Sequence, residues 1–246
     1  MNDAYSVQEA IVSQAERMQN RFAILDLPKE GRFVNALQWR LLFDSAYAGF
    51  YYPWIVVEKN GTHVTVPPSG HVAGIFAKCD ANQGVHRAPA NEELNGVIDL
   101  SVLLHDNDIG YLNDQGVNCL RSFAKRGIRV WGARTTSSDG LNRYINVRRV
   151  ILTIMRSMVA NLQWVVFEPN DARLWKTLQT SVAFFLKGLW RQGYFKGRSP
   201  EEAFYVKCDS ELNTPDVRDA GMVIVEVGVA PVRPAEFIVF RISEET

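Results

Sequence analysis

The chain has 246 residues, enough for one large or two modest domains that each bury a core, and its 47% hydrophobic content is ordinary for a globular protein. Its 27 lysines and arginines balance 27 aspartates and glutamates, so no net charge points to nucleic acid or an anionic membrane, and weak self-repulsion favours association. No apolar run reaches the ~18 to 20 residues needed to span a bilayer, and no basic-then-apolar leader opens the chain, which excludes membrane insertion by a helix of this segment.

In chain order, Val7, Ala10, Ile11 and Met18 mark one face of an opening helix, Ser6 to Asn20, and Phe22–Leu25 reads as a strand before Asp26 and Pro28. A second helix carries Val34, Leu37 and Leu41. After Gly49 comes a β-branched and aromatic stretch, Tyr51–Val57, interrupted by Pro53, and Asn60-Gly61 supplies a turn. Pro67-Pro68-Ser69 is a helix entry in which Ser69 is expected to accept from the orphan amides, with Val72, Ile75, Phe76 and Cys79 at helical spacing. Residues 80–114, rich in Asn, Asp, Gly and Pro, read mostly as loop with a short strand at Val97–Leu100. From Asn113 a helix carrying Val117, Leu120 and Ala124 is expected to stop at Gly127 and give way to the strand Ile128–Trp131, which makes a parallel crossover. Alternating helices and strands over residues 1–145 spell a layered α/β domain.

Residues 146–246 read as a second, α+β domain. Val147, Val150, Ile151, Ile154, Met155, Met158, Val159 and Leu162 form one apolar stripe, with Arg148, Arg149 and Arg156 off it. Pro169-Asn170-Asp171 starts another helix with Leu174, Leu178, Val182, Phe185, Leu189 and Trp190 inward, ending near Gly193. Two strands follow: Met222–Val229, and after the breaker Pro231-Val232-Arg233-Pro234 the run Glu236–Ile242.

The chemistry of catalysis is thinly represented. His63, His71, His86 and His105 have no supporting triad motif, and no G-x-S-x-G elbow, HExxH pair, Walker loop or GxGxxG follows a strand. Cys79, Cys119 and Cys208 lack the paired spacing of a zinc site or redox dithiol, and read as small buried hydrophobes in a reducing, cytoplasmic compartment. His105-Asp106-Asn107-Asp108 has two readings, an exposed loop or a cation site; Thr135–Gly140 likewise reads as a solvated loop or a phosphate-like nest. No catalytic residue, cofactor or metal is expected.

Two features point to assembly. In the run Glu236, Phe237, Ile238, Val239, Phe240, Arg241 and Ile242 both strand faces are mainly apolar, so the segment is suited to be covered: either within its own sheet or by adding to a neighbour's sheet. Lys187, Arg191, Lys196 and Arg198 cluster with Trp190, Tyr194 and Phe195 where a helix finishes; they complement its dipole or dock an acidic partner.

Several ordered segments carry a family likeness. Arg129-Val130-Trp131-Gly132-Ala133-Arg134-Thr135, Tyr144–Arg149 with the long helix after it, Trp164–Asn170 leading into Leu174-Trp175, and Gly188–Gly193 together resemble the tail sheath proteins of contractile phage tails and related bacterial injection systems. The likeness runs from about residue 113 to the end; Arg21–Asp26 resembles the earlier part more loosely. It implies a central domain subtilisin-like in fold without protease activity, incomplete at its N-terminus because the family's N-terminal arm has no counterpart ahead of the opening helix. It also implies a C-terminal assembly domain. The implied function is a structural subunit that polymerises as stacked hexameric rings around an inner tube and contracts without nucleotide, assembled in a bacterial cytoplasm and released as a virion tail or injecting particle. Implied partners are other copies, the inner tube protein, baseplate and tail terminator proteins, with no nucleic acid. The likeness places a subunit-linking strand at Glu236–Ile242, a receiving strand at Met222, Val223, Ile224, Val225, Glu226 and Val227, and an inner-tube contact at Lys187, Arg191, Lys196 and Arg198. Two other readings fit the sequence: a sheath-like cap that terminates the polymer, and an α/β hydrolase using loops around His105 or Asp139.

Overall fold

The computed structural model describes residues 2–29 and 33–236. A four-stranded sheet lies at the centre of the first half, in the order β1 (Ala23–Asp26), β2 (Ala48–Tyr52), β6 (Val117–Phe123), β7 (Gly127–Trp131); the first three are parallel and β7 returns antiparallel. A smaller antiparallel sheet, β4 (Thr62–Val66), β3 (Ile55–Lys59), β5 (Val97–Leu100), flanks it. Asn60 and Gly61, both with positive φ (52° and 75°), close the β3–β4 hairpin as their sequence predicts.

Alternation sorts the central strands into two faces. Phe50, Tyr52, Val117 and Cys119 pack with Val12, Trp39, Phe43 and Leu112, from the helices α1 (Asn2–Met18), α2 (Phe33–Arg40) and α4 (Asp106–Asp114) and the turn that follows α2. On the opposite face, Tyr51, Leu120 and Val130 pack with Val72, Ile75 and Phe76 of α3 (Ser69–Asn82) and with Ile145. A parallel sheet covered on both faces needs apolar residues throughout, and all five residues of β2 are buried.

Ile145 opens α5 (Ile145–Asn161), whose first turn belongs to this core while Val150 and Ile154 belong to the next one, so one helix ties the two cores together. In the second, α5 packs with α6 (Ala172–Arg191), Phe195, Ala203 and the two-stranded sheet β8 (Phe204–Lys207) and β9 (Glu226–Val229). Short helices α7 (Pro200–Ala203) and α8 (Pro215–Asp219) precede the two strands. The helix α6 starts within the expected Pro169–Asp171 stretch, where Asp171 caps it by accepting from the amides of Arg173 and Leu174 at 2.9 and 3.0 Å.

Several expectations are corrected. The segment from Val117 is a strand, not a helix, and the connection to β7 is a hairpin, not a parallel crossover. Val117, Leu120 and Ala124 fit a helical spacing, but Asn118 and Cys119 between them are buried too, as a central strand requires. Gly127, at φ 72°, closes that hairpin with Lys125 at φ 64°. The region from residue 80 holds the end of α3 and all of α4, whose C-terminal stop is Gly116 at φ 79°. Ser69 does not cap α3 with its side chain; its amide donates to Asp26 Oδ1 at 2.8 Å. Tyr51–Val57 is divided at Pro53 between two sheets, and only Glu226–Val229 of the expected Met222–Val229 strand is paired.

Candidate subunit-linking site

The β8–β9 sheet packs one face on α5 and α6 through Phe204, Val206, Val227 and Val229. On the outer face, Tyr205 lies across Gly228 and donates its hydroxyl to Glu226 Oε1 at 2.9 Å. The amide of Ala230 donates to Ala203 O at 2.8 Å, which fixes the parity of the ladder. Tyr205·Gly228 and Lys207·Glu226 exchange the inter-strand bonds, so the amides and carbonyls of Val227 and Val229 point away from β8. Among the described residues, those outward groups have no hydrogen-bonding partner. On β8 the outward carbonyl of Val206 accepts from Gln179 Nε2 of α6 at 3.0 Å. Phe204 O and Val206 N on the outer side of β8 likewise have no partner among the described residues, so β9, with four open groups, is the more open of the two ladder edges.

The residues ahead of β9 are held differently. Asn213, 1% exposed, accepts from the Ile224 amide at 2.7 Å and donates to its carbonyl at 3.0 Å, taking the place of a strand neighbour. Val223 and Val225 pack inward against Trp175 and Leu178 while Met222 and Ile224 face out. Of the six residues Met222, Val223, Ile224, Val225, Glu226 and Val227, the first four form a strand-like lead-in and the last two lie in β9.

Beyond β9 the chain crosses back to the first core. Lys196 N donates to Ala230 O at 2.8 Å, Val232 N to Tyr194 O at 3.1 Å, and Asn146 Nδ2 to both His86 O (2.8 Å) and Val232 O (3.0 Å). Glu236 then meets Arg134: Nε reaches its two carboxylate oxygens at 3.0 and 3.2 Å and Nη2 reaches one at 2.6 Å. Arg134 also donates to Asn113 O and Asp114 Oδ1 at 2.9 and 3.2 Å, and the Tyr144 hydroxyl donates to Glu236 at 3.3 Å. Burial works against the Arg134 charge, yet the bonds and charges of Glu236 and Asp114 outweigh it and raise its pKa. Phe237, Ile238, Val239, Phe240, Arg241 and Ile242 lie outside the described residues.

Lys187, Arg191, Lys196 and Arg198 are all exposed, the first two one turn apart on α6 and the others in the turn after it. Phe195, named with them from sequence, is buried in the second core, and Trp190 and Tyr194 are half-buried against it.

The polar loops do not converge. Asp106 pairs with Arg121 at 2.8 Å and Asp108 accepts from the His105 amide at 3.3 Å, so that cluster is the start of α4. Asp139 caps a short 3-10 turn by accepting from Leu141 N at 2.9 Å. The cleft between Arg40, Asp44, Asp114, Arg134 and Thr135–Ser138 is lined by neither His105 nor Asp139. No helix among the described residues is long and apolar enough to cross a membrane.

Sequence reasoning missed the Arg134–Glu236 pair, β8, and the paired asparagines Asn118 and Asn213. One signal was legible: a lone arginine in the uncharged run Trp131–Thr136 needs a partner if it is buried, and Glu236 is the only carboxylate in the otherwise apolar segment Pro234–Phe240.

Comparison with known proteins agrees over almost the whole chain. The model of the phage tail sheath protein central domain matches residues 3–136, and that of the phage tail sheath C-terminal domain residues 137–243. A putative prophage major tail sheath protein of Pseudomonas aeruginosa (strain UCBPP-PA14) is 27% identical over 250 residues, covering 97% of this chain and 62% of the relative. The tail sheath protein of Escherichia phage P2 is 27% identical over 190 residues, 74% of this chain and 46% of the relative. Among solved structures, a chain of the anti-feeding prophage helical sheath in its contracted state superposes with a TM-score of 0.86 at 36% identity, over 98% of this chain and 66% of that one. This chain thus spans about half to two thirds of the length of the relatives it matches. With both domain models matched in order, the chain belongs to the phage tail sheath family.

Proposed function

We propose that this chain is a structural subunit of a contractile sheath, linked to its neighbours by exchanged β-strands. The observation that carries the reading is the outer edge of β9, where Val227 and Val229 present a donor and an acceptor each to no described residue. An unpaired ladder edge is a template for another strand, and the run Phe237-Ile238-Val239-Phe240-Arg241-Ile242 has the composition of one that is covered on both faces. Copies therefore join by main-chain bonds, with Glu226–Val229 receiving, Met222–Val225 as its lead-in, and Glu236–Ile242 of another copy donating. Polymerisation of this kind needs no nucleotide; contraction is a shift between two packings of the same contacts. By its likeness to relatives in phage tails and in the anti-feeding prophage, the sheath forms stacked rings on an inner tube, meets baseplate and terminator proteins at its ends, and assembles in a bacterial cytoplasm before release as part of a particle.

Deleting residues 237–246 tests the linkage. Sheaths imaged by electron microscopy are expected to disappear while the subunit stays folded; sheaths of normal length and number refute strand exchange through this segment. Exposure and common charge support Lys187, Arg191, Lys196 and Arg198 as the inner-tube contact. Replacing all four by glutamate is expected to abolish co-purification with the tube, and unchanged co-purification refutes the assignment.

A further inference from the structure

The proposed link requires that an apolar segment so close in sequence to an open strand edge be kept from closing that edge within its own subunit. We infer that Arg134 is the positioning residue that prevents it. By gripping Glu236 it holds the root of the segment that follows against the central domain, beside Arg134 and Tyr144 and not beside β9.

Three observations converge. First, the grip is directional. The guanidinium meets the carboxylate through both Nε and Nη2, Tyr144 adds a third donor, and the two side chains are only 7% and 14% exposed. A fork of donors fixes an angle as well as a distance, which an apolar contact does not. Second, the base of the grip is rigid. The backbone of Arg134 is held on both sides by Asn118, which accepts from its amide at 2.7 Å and donates to its carbonyl at 2.8 Å; Asn118 is fully buried in a central strand and also donates to Phe50 O at 3.1 Å. Third, the strap between β9 and Glu236 is fastened along its way by the Lys196, Tyr194 and Asn146 contacts, so it has little slack. Returning to β9 requires a reversal at or after Glu236. The sequence from Arg233 to Ile242 contains no Gly, Asn or Asp, the residues that supply the positive φ of a two-residue hairpin. The clamp and the missing turn chemistry act together: the segment is presented to a second copy of this chain and withheld from its own.

This inference rests on the strand-exchange reading, and one set of variants separates the two. Replacing both partners, Arg134→Met with Glu236→Met, keeps volume and leaves no unpaired buried charge, a change that commonly preserves folding. The expected result is a subunit that melts within a few degrees of the parent but forms sheaths at least tenfold fewer or shorter. Val229→Cys combined with Val239→Cys or Phe240→Cys supplies the second readout. On non-reducing gels the parent is expected to give a ladder of linked subunits, and the double variant a shift to a faster-running monomer with an internal disulfide. Glu236→Gln, which keeps the shape and removes the charge, is expected to lie between them, and it decides the matter if the double variant does not fold. Parent-like sheaths and an unchanged ladder in these variants, with no sheaths after deletion of 237–246, overturn the clamp and leave strand exchange standing. Normal sheaths after that deletion overturn both.

Discussion

Proline at position 227 separates the subunit's own ladder from the link to a neighbour. The Val227 amide points away from β8, so proline there removes no bond within the subunit; on an edge strand, that is the orientation in which proline is tolerated. The outward groups of Val227 and Val229 offer an incoming strand up to four hydrogen bonds, each contributing roughly 0.5–1.5 kcal/mol net. Val227→Pro deletes one donor and sets a ring where the neighbour's backbone would approach, which removes about 1–3 kcal/mol per link, or roughly 5- to 150-fold in affinity. Because every subunit in a sheath depends on such links, sheath number and length by electron microscopy should collapse. Thermal unfolding of the isolated subunit should change by no more than about 1 kcal/mol, the loss of a partly buried valine's packing. Gly228→Pro is the control: its amide faces β8, so it should destabilise the subunit itself. Parent-like sheaths from folded Val227→Pro subunits would refute the assignment of β9 as the receiving edge.

Other substitutions probe the supporting structure. A methyl group at Gly228 would sit 2.1 Å from Tyr205 Cε1, so Gly228→Ala should force the ring off the sheet and destabilise the subunit by about 1–3 kcal/mol, read from urea denaturation. Asn118→Ala strands the buried amide of Arg134 and should lower stability by roughly 1–3 kcal/mol, with Asn118→Asp no substitute because it cannot donate to Phe50 O and Arg134 O. Burial raises the Asp26 pKa above its ordinary value of 3.8, outweighing the bonds from Ser69. The folded state therefore holds that proton more tightly than the unfolded one, and this contribution to stability is fully present below the unfolded pKa and lost as pH rises through the folded one. Subtracting the stability curve of Asp26→Asn from that of the parent should expose this fall; a difference that rises with pH in that window contradicts the assignment.

The two-domain α/β plan was legible wherever one periodicity dominated. The helix behind the stripe from Val147 to Leu162 was legible from its spacing, although Val159 is exposed and Leu152 is buried in its stead, and the start of α6 was legible from Pro169-Asn170-Asp171. Val117–Phe123 was not legible, because a strand buried on both faces loses its alternation and its apolar residues fall by chance at helical intervals. β8 was hidden for a different reason: four residues between a short helix and a polar turn carry too little pattern, and only pairing with β9 makes them a strand. For the proposed assembly site, the receiving stretch read from the sequence overlaps β9, but its outward edge was not legible. The outward direction of Val227 and Val229 depends on ladder parity, a tertiary property, and Asn213's hold on Ile224 turned half of the expected strand into a lead-in. Arg134 and Glu236 are 102 residues apart, and nothing local announces their pairing.

Density along the outer edge of β9 in a cryo-EM reconstruction of the assembled polymer, traced back to the subunit that owns it, is the most direct measurement. The expected result is a strand of residues 237–242 from another copy, in register with Val227 and Val229. Tracing that strand to the same subunit, or finding the edge vacant in a well-formed sheath, would contradict the account.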